Sequence, residues 1–201
     1  MTSTIDYYFT PQSPWTYLGH ARFSEIAREA GATVRVLPVD MGAVFAISGG
    51  LPLGKRAPQR QAYRLVELER FSRSLKVPLN LQPRHFPVVG DAASRLIIAA
   101  DQQGGSDLSM RLAGKIFAAV WAGERNIADA AELAALAAEA GADPACVADA
   151  QQESVQQRYE ANTRQAIDAG VFGAPSYVVD GEMFWGQDRL EFVREKLAAR
   201  R

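Results

Sequence analysis

Cysteine is almost missing: Cys146 is the only one in 201 residues. A single thiol excludes an intramolecular disulfide, a Cys-x-x-Cys redox pair and a cysteine-cluster zinc site. Histidine is nearly as scarce, with only His20 and His85, so no multi-histidine metal site is expected. Charge of one sign is lacking too, since 22 Lys and Arg offset 23 Asp and Glu. Non-specific nucleic-acid binding draws on an excess of cations to neutralise phosphates, and no nucleic-acid partner is expected. Apolar runs such as Leu96-Ile97-Ile98-Ala99-Ala100 are short against the ~20 residues of a membrane span, so no membrane role is expected either. The start, Met1-Thr2-Ser3-Thr4-Ile5-Asp6, has no basic region followed by an apolar stretch. That speaks against a secretory signal and for a cytoplasmic protein.

What is present is the balance of an ordinary globular chain, with length for one large domain or one domain carrying an insertion. Ile5-Asp6-Tyr7-Tyr8-Phe9 is β-prone and ends at the turn-formers Thr10-Pro11-Gln12. Ser13 then suits a helix N-cap and Pro14 the first helical position, where a missing N–H costs nothing. Phe23, Ile26, Ala27 and Ala30 continue that helix to Gly31, and Thr33-Val34-Arg35-Val36-Leu37 is a second strand. From Asp40 to Gly170 only helical segments are found. Ser48 to Pro58 is a loop, and Leu65, Leu68, Phe71 and Leu75 mark a helical face closed by Pro78. Asp91 is expected to cap a helix through Gln103, and Ser106 another reaching Trp121. Two adjacent apolar stripes on that second helix imply burial against several neighbours. Ala-rich helices follow at 129–140 and 152–169. Strand character returns in Ser176–Val179 and Met183–Trp185 around Asp180-Gly181, a strong hairpin signal. A last helix begins at Gln187-Asp188 and carries Leu190, Val193 and Leu197. The expected fold class is α/β: a small βαβ…ββα core from residues 1–40 and 171–201, with residues 41–170 as an all-helical insertion.

That order is the thioredoxin order, and two local features sharpen it. Ser13-Pro14-Trp15-Thr16 opens the first helix where thioredoxin-like redox proteins carry Cys-x-x-Cys, and Ala174-Pro175 stands where that fold places a cis-proline. Ser13-Pro14-Trp15-Thr16-Tyr17-Leu18, Val171-Phe172-Gly173-Ala174-Pro175 and Phe184-Trp185-Gly186-Gln187-Asp188-Arg189-Leu190 together resemble 2-hydroxychromene-2-carboxylate isomerases and the related kappa-class glutathione transferases. Ala119-Val120-Trp121 with Asn126-Ile127, and Tyr63 with Glu67-Leu68 and Arg70, agree with the same family. The likeness runs through nearly the whole chain in a single order.

The resemblance implies glutathione as cofactor, its sulfur at Ser13. The chemistry suits the residue: a hydroxyl and free N–H groups at a helix start stabilise a thiolate. Read by itself, Ser13 is a helix cap. Ala174 is implied to offer its backbone to the cysteinyl moiety, and Trp185, Gly186, Gln187 and Asp188 to hold the γ-glutamyl end. Asp188 is apt for the ammonium, although by local sequence it is also an N-cap. Lys55, Arg56 and His85 match the family's substrate-binding positions. Lys55 and Arg56 suit a carboxylate, while bland readings are solvated loop cations and an incidental histidine.

Two departures stand out, Phe45 where the aromatic-degradation isomerases have a lysine, and Gly50 where relatives often have Asn. Cys146 reads as a small buried hydrophobe. His20, two turns beyond Ser13, is expected on the surface, with a proton relay as the functional alternative. Trp15, Trp121 and Trp185 read as packing, with Trp15 able to line an aromatic pocket. The expected activity is a glutathione-dependent isomerisation of a small aromatic substrate, in which the Ser13-held thiolate adds and is later eliminated. A kappa-like transferase or peroxidase is the alternative. Missing thiols at Ser13 and Thr16 argue against a disulfide oxidoreductase, and a non-catalytic binding module is the remaining class. Relatives imply a homodimer.

Overall fold

Two-residue alternation builds the sheet. In strand β1 (Thr4–Phe9) Ile5, Tyr7 and Phe9 enter one core and Tyr8 another, on the opposite face. The computed structural model describes residues 3–199. β2 (Thr33–Pro38) runs parallel to β1, whereas β3 (Ser176–Val179) is antiparallel to it and pairs with β4 (Glu182–Trp185), giving the order β2-β1-β3-β4. The β3–β4 turn is Asp180-Gly181 with φ of 53° and 81°, the left-handed pair that a two-residue hairpin needs.

Helix α1 (Pro14–Ala30) joins β1 to β2. It starts at the Ser13 cap and stops at Gly31, whose φ of 63° lets its N–H reach the Ala27 and Arg28 carbonyls. Between β2 and β3 every regular element among the described residues is helical, as expected: α2 (Met41–Ser48), α3 (Pro58–Leu75), α4 (Asp91–Trp121), α5 (Ala130–Ala140), α6 (Ala145–Asp149) and α7 (Glu153–Asp168). A 3-10 turn at Gln187–Arg189 leads into α8 (Leu190–Ala198). The two helices expected, one through Gln103 and one from Ser106, are both present within α4 and meet at a kink where Gly104 and Gly105 leave helical geometry, φ reaching 68° at Gly105. Asp91 is not a cap. Gly90 takes that position, and the Asp91 carboxylate accepts from the Tyr159 hydroxyl of α7 (3.3 Å). Ser106 makes no cap either; its carbonyl accepts from the Ser109 hydroxyl (3.2 Å).

The helical segment and the sheet share their cores. Leu96, Ile97, Leu112, Ile116 and Phe117 of α4 belong to the same cluster as Ile5, Tyr7, Phe9 and Tyr177. On the other face Tyr8 and Leu37 pack with Met41 and Val44 of α2 and Ala166 of α7. At ~1.5–3 kcal/mol per large apolar side chain buried, these two contacts hold the helical segment to the sheet.

Candidate active site

Ser176 pairs with Tyr8 near the C-terminal end of β1, and Trp185 pairs with Ser176. The turn after β1, the residues before β3 and the residues after β4 therefore meet at one end of the sheet. Ser13 sits there, 7 % exposed. Its hydroxyl oxygen accepts from the Thr16 N–H (3.2 Å), and its own N–H donates to the Thr10 carbonyl (3.0 Å). Ser13 is thus a cap, and the bond to Thr16 leaves the hydroxyl hydrogen free to donate outward. Pro14 has no N–H, and Trp15, in the first turn, has no acceptor within the helix.

The Ala174–Pro175 peptide is cis, and the Pro175 carbonyl accepts from the Gly186 N–H (2.9 Å). Neither the N–H nor the carbonyl of Ala174 has a partner among the described residues. Both backbone groups of Ala174, in the bend before β3, are therefore open. Trp185 is half-exposed and lies against Phe172 (4.8 Å between centroids). It also covers Gly173, where a Cβ would fall 2.4 Å from the indole nitrogen, so only glycine fits beneath the ring. Gln187 is buried, and its side-chain oxygen and carbonyl both face Arg22 of α1 (3.5 and 2.9 Å) while its amide nitrogen has no partner among the described residues. Asp188 is exposed and paired with Arg189 (2.6 Å). It caps no helix: α8 has Arg189 at its N-cap and no side-chain cap bond.

The helical segment closes on this end from the other side. Trp15 packs edge-on against Phe71 of α3 (5.9 Å), and Gly90 presses on Gln12 and Pro11, just before Ser13. Lys55 is exposed, whereas Arg56 turns inward, its Nε donating to the Leu51 carbonyl (2.8 Å) and its guanidinium over the Phe45 ring at 6.0 Å. The two departures from the family pattern are one packing change: a Cβ on Gly50 would lie 2.2 Å from the Phe45 ring. His85 is half-buried on the loop of a second cis peptide, Phe86–Pro87. Tyr63 is exposed, beside the Glu67–Arg70 ion pair (2.6 Å).

Sequence reasoning passed over Arg64, whose guanidinium lies over Phe86 and Trp121 (5.4 and 5.6 Å). His20 is a correction: it is buried, and it is no surface residue. The Met110 carbonyl can only accept, so Nε2–H donates to it (3.0 Å) and Nδ1 accepts from the Tyr7 hydroxyl (3.3 Å). Phe117 closes over the ring at 5.0 Å. Burial lowers its pKa to about 4, so the ring is a neutral bolt between α1, β1 and α4 with both nitrogens occupied. Cys146 is buried as expected, and burial, then Asp149 and Asp143, push its thiol up to about 11.

A DSBA-like thioredoxin domain matches residues 4–198 of this chain. The chain belongs to the DSBA-like thioredoxin family. 2-Hydroxychromene-2-carboxylate isomerase of Sphingobium xenophagum is 32 % identical to it over 203 residues, covering 98 % of this chain and 99 % of the relative. Glutathione S-transferase kappa 1 of Caenorhabditis elegans is 24 % identical, over 96 % and 90 % of the two chains. A solved structure of selenomethionine 2-hydroxychromene-2-carboxylate isomerase superposes with a TM-score of 0.81 at 28 % identity, covering 98 % and 95 %. The thioredoxin-like fold expected from the element order is thus the fold found, a four-stranded mixed sheet with a helical insertion. Among the described residues no helix is long and apolar enough to cross a membrane.

Proposed function

We propose that this protein is a glutathione-dependent isomerase of 2-hydroxychromene-2-carboxylate-like aromatic compounds. The observation that carries the reading is a serine, where the redox members of this fold have a thiol, at the head of α1 and at the sheet end where the Ala174 backbone lies open. Two relatives at 32 % and 30 % identity, each matched over nearly the whole chain, carry that isomerase name. The residues fit glutathione, a tripeptide. Ala174 offers an unpaired N–H and carbonyl for a strand-like contact, and Asp188 is exposed for an ammonium.

When bound, glutathione supplies a thiol nucleophile that the reaction returns unchanged. Ser13 supplies the environment for its anion. With Oγ already accepting from Thr16, the hydroxyl hydrogen is oriented away from the helix and available to sulfur, and the positive end of α1 adds to it. A hydrogen bond to a charged group contributes ~1.5–3 kcal/mol, or one to two pKa units at ~1.4 kcal/mol each. Trp185 and Gly186 shape the wall beside Ala174, and Arg22 holds Gln187 in place beneath it. Arg56 and His85, on the helical side, face the second substrate. Phe45, in place of the isomerases' lysine, favours a kappa-like transferase as the second reading.

The test is turnover of 2-hydroxychromene-2-carboxylate followed by absorbance, with and without glutathione. Glutathione-dependent isomerisation that falls ~10–100-fold in Ser13→Ala is expected. Turnover independent of glutathione or of Ser13 overturns the reading. Conjugation of glutathione to an aryl halide without isomerisation replaces it with the transferase.

A further inference from the structure

Arg64 is a half-buried cation with no acid. Its guanidinium carbon lies 5.4 Å from the Phe86 ring and 5.6 Å from the Trp121 ring, and those rings pack on each other at 4.8 Å. It makes no hydrogen bond or ion pair with any of the described residues. The charge that acts on it, Arg56, has the same sign. Arg56, Arg60 and Arg64 recur at four-residue spacing, and Arg56 is repelled by Arg60 and in turn repels Arg64. Burial, then Arg56, lower the Arg64 guanidinium to about 10. Acceptors are short throughout this stack, since the indole N–H of Trp121 is also buried without a partner among the described residues.

Taking a cation partly out of water and setting others beside it is unfavourable unless an anion completes the group. No acid among the described residues pairs with it; Glu67, one turn further along α3, is taken by Arg70. The surroundings also specify the shape of the missing partner. Phe45 lies under Arg56, and Phe86 with Trp121 under Arg64, so the cations are backed by flat apolar faces. A guanidinium fork meets two carboxylate oxygens side by side, and a planar ring meets aromatic walls. Phe86 sits on the loop that runs to Gly90, and Gly90 presses on Pro11 and Gln12 in the turn before Ser13.

We infer that Arg64, with Arg56 beside it, is the specificity-determining anchor for the carboxylate of the flat aromatic second substrate. The inference rests on the function proposed above and adds to it the residue that selects the acid.

Salicylate is the probe, salicylamide its uncharged counterpart, and calorimetry the readout on the full chain. Salicylate is expected to bind wild type, with salicylamide at least tenfold weaker. Arg64→Met, which keeps an apolar stem over the rings, is expected to weaken salicylate about tenfold or more and leave glutathione affinity within about twofold of wild type. Arg64→Lys keeps the charge without the fork and is expected to fall between. It also serves where the methionine variant fails to fold. Equal salicylate affinity in wild type and either variant, or salicylamide binding as tightly as salicylate, overturns the inference. So does a wild type that binds glutathione and not salicylate, which leaves the proposed function standing. Arg64-dependent salicylate binding without any glutathione binding does the reverse.

Discussion

Acid should loosen this protein through His20. In the fold the ring is neutral, with Nε2–H donating to Met110 and Nδ1 accepting from Tyr7. A proton on Nδ1 would face the Tyr7 hydroxyl, whose hydrogen would then have to turn away inside a core. Burial therefore lowers the folded pKa from 6.5 to about 4, while the unfolded chain keeps the ordinary value. Between those values the unfolded state binds the extra proton, so stability rises with pH and is lost as pH falls from 6.5 towards 4. At ~1.4 kcal/mol per unit, the full loss is about 3 kcal/mol. For a chain of this size that is a Tm difference of ~6–12 °C. The assay is urea or thermal unfolding from pH 8 to pH 4 for wild type and His20→Gln, since only the difference between the curves isolates His20 from His85 and the carboxylates. Wild type should lose about 3 kcal/mol more than the variant over that range. Parallel curves would refute the buried neutral ring.

The Cys146 thiol, pushed up to about 11, should stay unreactive towards a disulfide reagent at pH 8 in the folded chain and react stoichiometrically once denaturant is added. Gly186, at φ 101° and ψ 148°, occupies a region nearly reserved for glycine. Gly186→Ala should cost ~1–3 kcal/mol in unfolding, and should weaken glutathione binding because the new Cβ would lie 2.6 Å from Asp188. Asp129 accepts from Ala131 and Glu132 at the start of α5 (2.8 and 3.1 Å), so Asp129→Ala should cost about 1 kcal/mol in denaturant midpoint and leave glutathione affinity unchanged.

Local signals carried far along this chain. The β-prone run Ile5–Phe9, the Ser13-Pro14 cap, the Asp180-Gly181 turn and the division between a helix through Gln103 and one from Ser106 each act through backbone chemistry within a few residues, and each is where the sequence places it. What escaped depends on residues distant in the chain. His20 reads as a surface histidine because the carbonyl that buries it, Met110, is ninety residues away. Arg64 reads as one more solvated cation on a polar helix until residues 86 and 121 are brought beneath it. Asp91 looks like a cap because nothing nearby shows Tyr159 reaching it. Helix α2 shows no period because it is apolar nearly all round. The coupling of Gly50 to Phe45 matches no helical or strand repeat. At the site, the serine and the Ala174-Pro175 pair were legible as motifs, whereas the open Ala174 backbone and the inward turn of Arg56 needed the fold.

The central claim is that Ser13 lowers the pKa of a bound glutathione thiol. Titrating thiolate absorbance near ~240 nm against pH, with wild type and Ser13→Ala saturated with glutathione, tests it most directly. The account predicts a bound thiol one to two units below the free value of ~8.5, returning towards that value in Ser13→Ala. The same pKa in both proteins, or no binding of glutathione to wild type, would contradict it.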